Sequence, residues 1–522
     1  MKSLAQRFRR RLAPVVSVAA MFAASPALAD WVKYESPHFI LYSSGSRREA
    51  REMLTELEKF DTVLRLFMGQ SPDTEVYRKL PIYLVTDRGL RTIAPSIGNR
   101  VAGFYTSSDE DIYAVATRNE DFHTLKHEYA HHFMMANFSF PYPAWFVEGF
   151  AEYYAPTRFE HDITKIGMPN DNRAMALSYL SWMSMSELLS NRPLASTRNG
   201  DSYYPLAWLL AHWFLGDAGR RDQLQTYLRE IAGGATSVAA FETATGLTPT
   251  QLRGTLRRYM NGRIPYVGLR TVYPSFEVTA TPLPASADEL LLLGQQLKSG
   301  GTEEQRQRTL QEVRTKAARF PDDPLAQVIL AHAELHNARA PETAVSILEK
   351  LLEAHPHHVE ALQYMARAKM QLADDSDDQA TEIRLRQEAQ NYLARAYAAD
   401  DADFITMLLM SENRRTSPGY PSDNDVAILE IAFTLAPQLA EVRYYLAAAL
   451  LEKGRNAEAI SIIEPLVNNP HGENAAARAL LLKARGQTEA DAEAEAEAIR
   501  RQGEQEGDGS EGDGQTGDAP AN

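Results

Sequence analysis

The stretch DFHTLKHEYAHHFMMANF, residues 121–138, carries His123, His127, Glu128, His131 and His132 inside a run whose apolar residues recur at helical spacing. Phe122, Leu125, Phe133 and Met134 mark the face such a helix buries. A solvated face would carry the imidazoles and the carboxylate at no cost. A metal site requires some of them at fixed separations.

His127 and His131 are four residues apart, so on a helix their rings stack one turn apart on one face. Both Nε2 atoms can then reach one cation at about 2.0–2.1 Å. Glu128 sits one position on, beside the site rather than over it. This is H-E-x-x-H, the spacing of zinc-dependent peptidases. Two imidazoles leave a catalytic zinc short of a third protein ligand. PAWFVEGFAEYYA, residues 143–155, offers Glu148 and Glu152, again four apart on one face. Glu148 can be the third ligand, with Glu152 one turn on as acceptor for a ligand imidazole N–H. Carboxylates on so apolar a helix are costly unless paired or metal-bound. FSFPYP, residues 138–143, reads as a rigid turn returning the second helix antiparallel to the first.

The totals fit such a protein. At 522 residues the chain is too long for one core. A net charge of -15 and a pI near 5.4 leave no basic surplus for nucleic acid. Lys2, Arg7, Arg9, Arg10 and Arg11 precede a short apolar run that ends at Ala27-Leu28-Ala29. Residues 1–29 therefore read as an export signal, and losing its five positive charges takes the net charge from -15 to -20. No later segment is apolar enough to span a membrane. With no cysteine, an exported chain folds on core burial alone, which fits a bacterial periplasmic or secreted location.

Residues 30–263 read as α+β. HFILYSS (38–44) and KLPIYLVT (79–86) are strands around an amphipathic helix at 46–69, and residues 101–117 form a hairpin. Helices then follow at 144–155, 203–216 and 248–262, the last with Thr248 as N-cap. Residues 264–286, with four prolines and no helical period, read as a linker that would let 30–263 fold alone. Residues 287–487 are almost purely helical, and Pro321 recurs as Pro356 after 35 residues. Small residues at crossing points and a closing Pro resemble tetratricopeptide repeats, so an all-α solenoid is expected there. The acidic tail, 488–522, has too little apolar surface to fold.

HEYAHH followed by PAWFVEGFAEYY resembles the gluzincin clan of metallopeptidases, and in particular a bacterial branch that joins a small zincin-like domain to tetratricopeptide repeats. The resemblance implies Zn2+ held by His127, His131 and Glu148, with Glu128 as general base. SYYPLAWLLAHWFLG, residues 202–216, is similar to a family helix that opens on a tyrosine, implying Tyr204, or else Tyr203, as hydrogen-bond donor to the oxyanion. It also implies a sheet-edge strand beside the metal, for which residues 111–117 stand in the right place, pairing with an extended substrate. A Glu-x-x-Ala-Asp stretch of the thermolysin-like pattern is missing, so substrate preferences are not carried over.

The resulting expectation is an exported zinc endopeptidase acting on protein or peptide substrates, whose repeats recruit substrates or partner proteins. The alternative is a repeat-based scaffold or chaperone-like assembly factor with a structural or vestigial zinc site. An intact Glu128 speaks against the alternative, since a structural site has no use for a base beside an open position.

Overall fold

Alternating apolar residues build the sheet of the computed structural model, which describes residues 28–98, 101–118, 122–137, 140, 142–190, 199–468, 474–491, 493–494, 497–498 and 501. Its first strands are β1 (Leu28–Glu35) and β2 (Phe39–Ser43). Helix α1 (Arg47–Phe67) begins at Ser46, whose side chain accepts from the Glu49 amide. Then follow β3 (Leu80–Val85), α2 (Asp87–Ile93), β4 (Gly103–Ser107) and β5 (Ile112–Thr117). The helices α3 (His123–Asn137) and α4 (Ala144–Tyr154) come next, then the short strands β6 (Arg158–Phe159) and β7 (Thr164–Ile166). Helices α5 (Asp171–Tyr179), α6 (Met185–Leu189) and α7 (Tyr203–Leu215) lead to α8 (Ala218–Ala232), α9 (Ser237–Thr245) and α10 (Pro249–Met260). Helix α10 opens on Thr248 in a reciprocal capping box with Gln251.

The strand order in the main sheet is β4-β5-β3-β2-β1-β9, where β9 is Thr279–Pro284. Strands β2, β3 and β5 run parallel, while β4, β1 and β9 each run antiparallel to their neighbours. Strands β6, β7 and β8 (Val267–Leu269) form a second, three-stranded sheet. Two expectations are corrected here. Residues 264–286 are not an irregular linker, because β8 pairs with β7 and β9 pairs with β1. Residues 111–117 are not the sheet edge either. Strand β5 is buried at every position between β3 and β4, and the edge beside α3 is β4.

The rest of the described chain is helical. It comprises α11 (Ala287–Lys298), α12 (Glu303–Ala317), α13 (Pro324–His332), α14 (Pro341–Ala354), α15 (Val359–Asp374) and α16 (Gln379–Ala399). It continues through α17 (Phe404–Arg414), α18 (Asp423–Leu435), α19 (Ala440–Glu452), α20 (Asn456–Val467) and α21 (Ala475–Arg485). Each helix packs on its successor, and α11, α13, α15 and α17 also touch one another in turn, as do α19 and α21. That is the neighbour pattern of a stacked helical array. The array is not detached from the sheet. Ala287 and Leu291 of α11 share a buried cluster with Trp31, Tyr83 and Val85. Among the described residues no helix is long and apolar enough to cross a membrane. The expected export signal lies outside the described residues except for Leu28 and Ala29, as does most of the acidic tail.

Candidate metal centre

Helix α3 is held by its apolar residues. Leu125, Ala130, Phe133 and Met134 are buried in the core. The Tyr129 hydroxyl donates to Asp61 Oδ1 at 2.6 Å, and Asp61 is itself paired with Arg65 at 2.6 Å. Lys126, also buried, donates to Glu56 at 2.9 Å and to the Thr157 carbonyl at 3.0 Å. These charge-assisted contacts, most of them to α1, fix the rotation of α3 about its axis. Helix α4 is fixed from its own far side by α7. A Cβ on Gly149 would lie 2.5 Å from the Ala207 carbonyl oxygen and 2.7 Å from the Ala211 side chain. Only a glycine permits that approach, and its neighbour in sequence is Glu148.

Between the two helices, ligand-type atoms converge. His127 Nε2 and His131 Nε2 are 3.1 Å apart, and Glu148 Oε2 lies 3.7 Å from the first and 3.6 Å from the second. A tetrahedral zinc with ligands at about 2.0–2.1 Å spaces those ligands about 3.3–3.4 Å apart. The observed separations bracket that value, so the donor set fits the ion. Glu148 is 3 % exposed, and the two imidazoles are half-buried. Burial, then the neighbouring His131, pushes the His127 pKa down to about 3 and keeps the ring in the neutral form that binds metals. For His131 burial, the largest influence, acts in the same direction, but Glu148, Glu128 and Glu152 together outweigh it and the pKa ends above its usual value.

Around this trio the structure arranges the remaining sequence-derived residues. Glu152 Oε1 stands 3.8 Å from His127 Nδ1, on the ring edge opposite Glu148, too far for a direct hydrogen bond and close enough to orient the ring electrostatically. Glu128 is half-buried within electrostatic reach of His131, Tyr204 and the β4 residue Tyr105. Tyr204 is half-buried and faces the same carboxylates. Burial, then Glu148, raises its pKa to about 12, so the phenol stays protonated. Tyr203 instead sinks into the core at 2 % exposure, and Glu128 is not among the charges that act on it. His123 and His132 do not join the converging ligand atoms. His132 Nδ1 is 3.2 Å from the Tyr105 hydroxyl, where burial and Arg78 hold its pKa down to about 4.

Sequence reasoning missed Arg173 on α5. Its Nε donates to Glu152 Oε2 at 3.1 Å, its Nη2 donates to Glu152 Oε1, and its guanidinium lies 5.5 Å from the Tyr204 ring centre. Asn170, the N-cap of α5, adds a donor to Glu152 at 3.3 Å. One forked cation thus fixes both the carboxylate behind His127 and the tyrosine across the site. The residues lie 21 apart in the chain, and no local spacing announces the pair.

No family model and no curated protein matches the chain. Among solved structures, a thermophilic TPR protein from Thermus thermophilus aligns with 38 % of this chain and 98 % of its own, at 21 % identity and a TM-score of 0.33.

Proposed function

We propose that the chain is a zinc-dependent peptidase whose centre is His127, His131 and Glu148, with Glu128 as general base. The observation that carries this reading is the convergence of three ligand atoms from two helices on a point flanked by Glu128 and Tyr204. When bound, zinc supplies Lewis acidity toward a carbonyl oxygen and makes water acidic near neutral pH. Glu128 takes the proton of the attacking water and returns it to the leaving amine. Tyr204, protonated at neutral pH, donates a hydrogen bond to the oxygen that gains charge. Glu152 and Arg173 hold the His127 ring at a fixed orientation. The edge of β4, next to α3, offers an extended peptide a row of backbone donors and acceptors.

The helical array supports a role in docking protein substrates or partners, in the manner of tetratricopeptide repeats. Zinc content and hydrolysis of an unstructured peptide, measured on the wild type and on Glu128→Gln, test the proposal. Zinc retained with hydrolysis lost supports it. A Glu128→Gln protein that cuts at the wild-type rate rejects it and leaves the docking role alone.

A further inference from the structure

A second group of ligand-type atoms lies at the junction between sheet and array. Glu110, in the turn between β4 and β5, projects onto His332 at the end of α13 and His336 in the π-turn Ala333–Asn337 that follows it. His332 Nε2 is 3.1 Å from Glu110 Oε2, and His336 Nε2 is 3.7 Å from Glu110 Oε1. The ring centres are 4.6 Å apart, and Tyr364 packs against both, 5.1 Å from His332 and 6.3 Å from His336. His332 is 3 % exposed. We propose that Glu110, His332 and His336 form a second site for a divalent transition metal, of which zinc is the representative, clasping the β4–β5 turn to the helical array.

Three observations carry the assignment. First, the geometry repeats the donor set between α3 and α4: two imidazoles four residues apart and one carboxylate from a distant element. His332 Nε2 lies 3.1 Å from Glu110 Oε2 and His336 Nε2 lies 3.7 Å from Glu110 Oε1, and one ligand atom from each of the three residues falls within 4.8 Å of the others, close enough to share one ion.

Second, the group is not satisfied by its own hydrogen bonds. His336 Nε2, which faces the carboxylate, is a buried nitrogen without a hydrogen-bond partner. The Glu110 carboxylate is within hydrogen-bond distance of His332 and leaves His336 Nε2 3.7 Å away, too far for a hydrogen bond. Buried polar atoms are rarely left this way. A cation between the rings would use the His336 nitrogen and the carboxylate together. Burial, then His332, lowers the His336 pKa to about 3, so the ring offers a lone pair.

Third, the local charge favours a dication. Arg367 is the cation beside Glu110, with Nη1 3.8 Å from Glu110 Oε1 and 3.7 Å from Asp109 Oδ2, and Nη2 donating to the Asp109 carbonyl at 3.0 Å. Glu412 is the third carboxylate acting on that guanidinium. Three carboxylates around one guanidinium leave two negative charges over. The adjoining quartet is internally balanced: Asp111 pairs with Arg78 at 2.6 Å, and Lys298 pairs with Glu360 at 2.8 Å. Arg415 and Glu441, further out, contribute one charge of each sign. Arg367 therefore orients Glu110 without neutralising the group. A metal here would join residues 222 apart in sequence and act as a structural cross-link.

The test uses the full chain, stripped by chelation, reloaded with zinc alone and freed of excess, with metal counted by elemental analysis. Both sites together predict two zinc ions in the wild type, one in Glu148→Ala, one in Glu110→Gln and none in the double variant. Glu110→Gln keeps the shape and a hydrogen-bond acceptor for His332, and His336→Ala alters a half-exposed ring. Either should lower the count by one, and zinc should raise the melting temperature of Glu148→Ala but not of Glu148→Ala with His336→Ala. If the wild type holds one ion, lost in Glu148→Ala and kept in Glu110→Gln, the second site does not exist. If the wild type holds one ion, kept in Glu148→Ala and lost in Glu110→Gln, the second site stands and the proposed catalytic one falls. A Glu148→Ala protein with no zinc at all overturns the inference whatever the other variants do.

Discussion

His127 faces a carboxylate on each edge of its ring, Glu148 at Nε2 and Glu152 at Nδ1, and this division of labour sets what each substitution does. Glu148→Ala removes the proposed third ligand and should abolish tight zinc binding at this centre, since two imidazoles hold the ion poorly. Glu152→Ala removes only the group behind the ring and should weaken zinc about 10–100-fold, as such losses typically do. Arg173→Ala should fall in the same range, because it frees the Glu152 carboxylate that it now grips with two donors. Competition dialysis against a chelator ranks all three. Protonation supplies a further check. A proton on His131 excludes metal, and its pKa lies above the usual 6.5 while that of His127 is pushed down to about 3. Zinc affinity should therefore begin to fall at a pH above 6.5, with a slope of one proton, His127 remaining neutral throughout. At this scale His127, Glu128, His131 and Glu148 were legible because helical spacing brings them together. Arg173 was not, because its pairing with Glu152 depends on where the loop after α4 folds back.

Among the elements, those with strong periodicity could be read from sequence. Helices α1, α3, α4, α7 and α10 stand where their apolar spacing requires, and Thr248 caps α10 as its side chain allows. Strand β9 could not be read, because TATPLP holds Pro282 and Pro284 and prolines normally break strands. It is tolerated because β9 is the last strand of the sheet, where the missing N–H groups cost no ladder on the open side. The hairpin at 101–117 was evident in the turn chemistry, but which of its strands lies at the edge depends on pairing with β3, and that partner is not written in the hairpin. The close contact of α4 with α7 yields a prediction at this scale. Gly149→Ala pushes a methyl against the Ala207 carbonyl oxygen, and the helices must separate to accept it. The cost should be about 1–3 kcal/mol in denaturant unfolding, with weakened zinc binding because Glu148 moves with the helix.

Across the whole molecule, the two halves share structure that a boundary at 263 would cut. Ending the chain there removes β9 from β1, β8 from β7, and α11 from the sheet face that holds Trp31, Tyr83 and Val85. Residues 30–263 alone should therefore melt well below the full chain or aggregate, whereas residues 30–300 should recover a cooperative transition. Thermal unfolding of the two fragments separates these outcomes. The linker reading failed because composition marks where regular patterns stop, and it does not mark which sheet an irregular segment joins. The proposed chemistry is tested by zinc content and peptide hydrolysis measured on the same preparations of wild type and Glu128→Gln. Equal zinc at the His127, His131 and Glu148 centre is expected, with a loss of hydrolysis by several orders of magnitude in the variant. Wild-type turnover by Glu128→Gln, or a wild type that holds zinc and cuts no peptide, would contradict it.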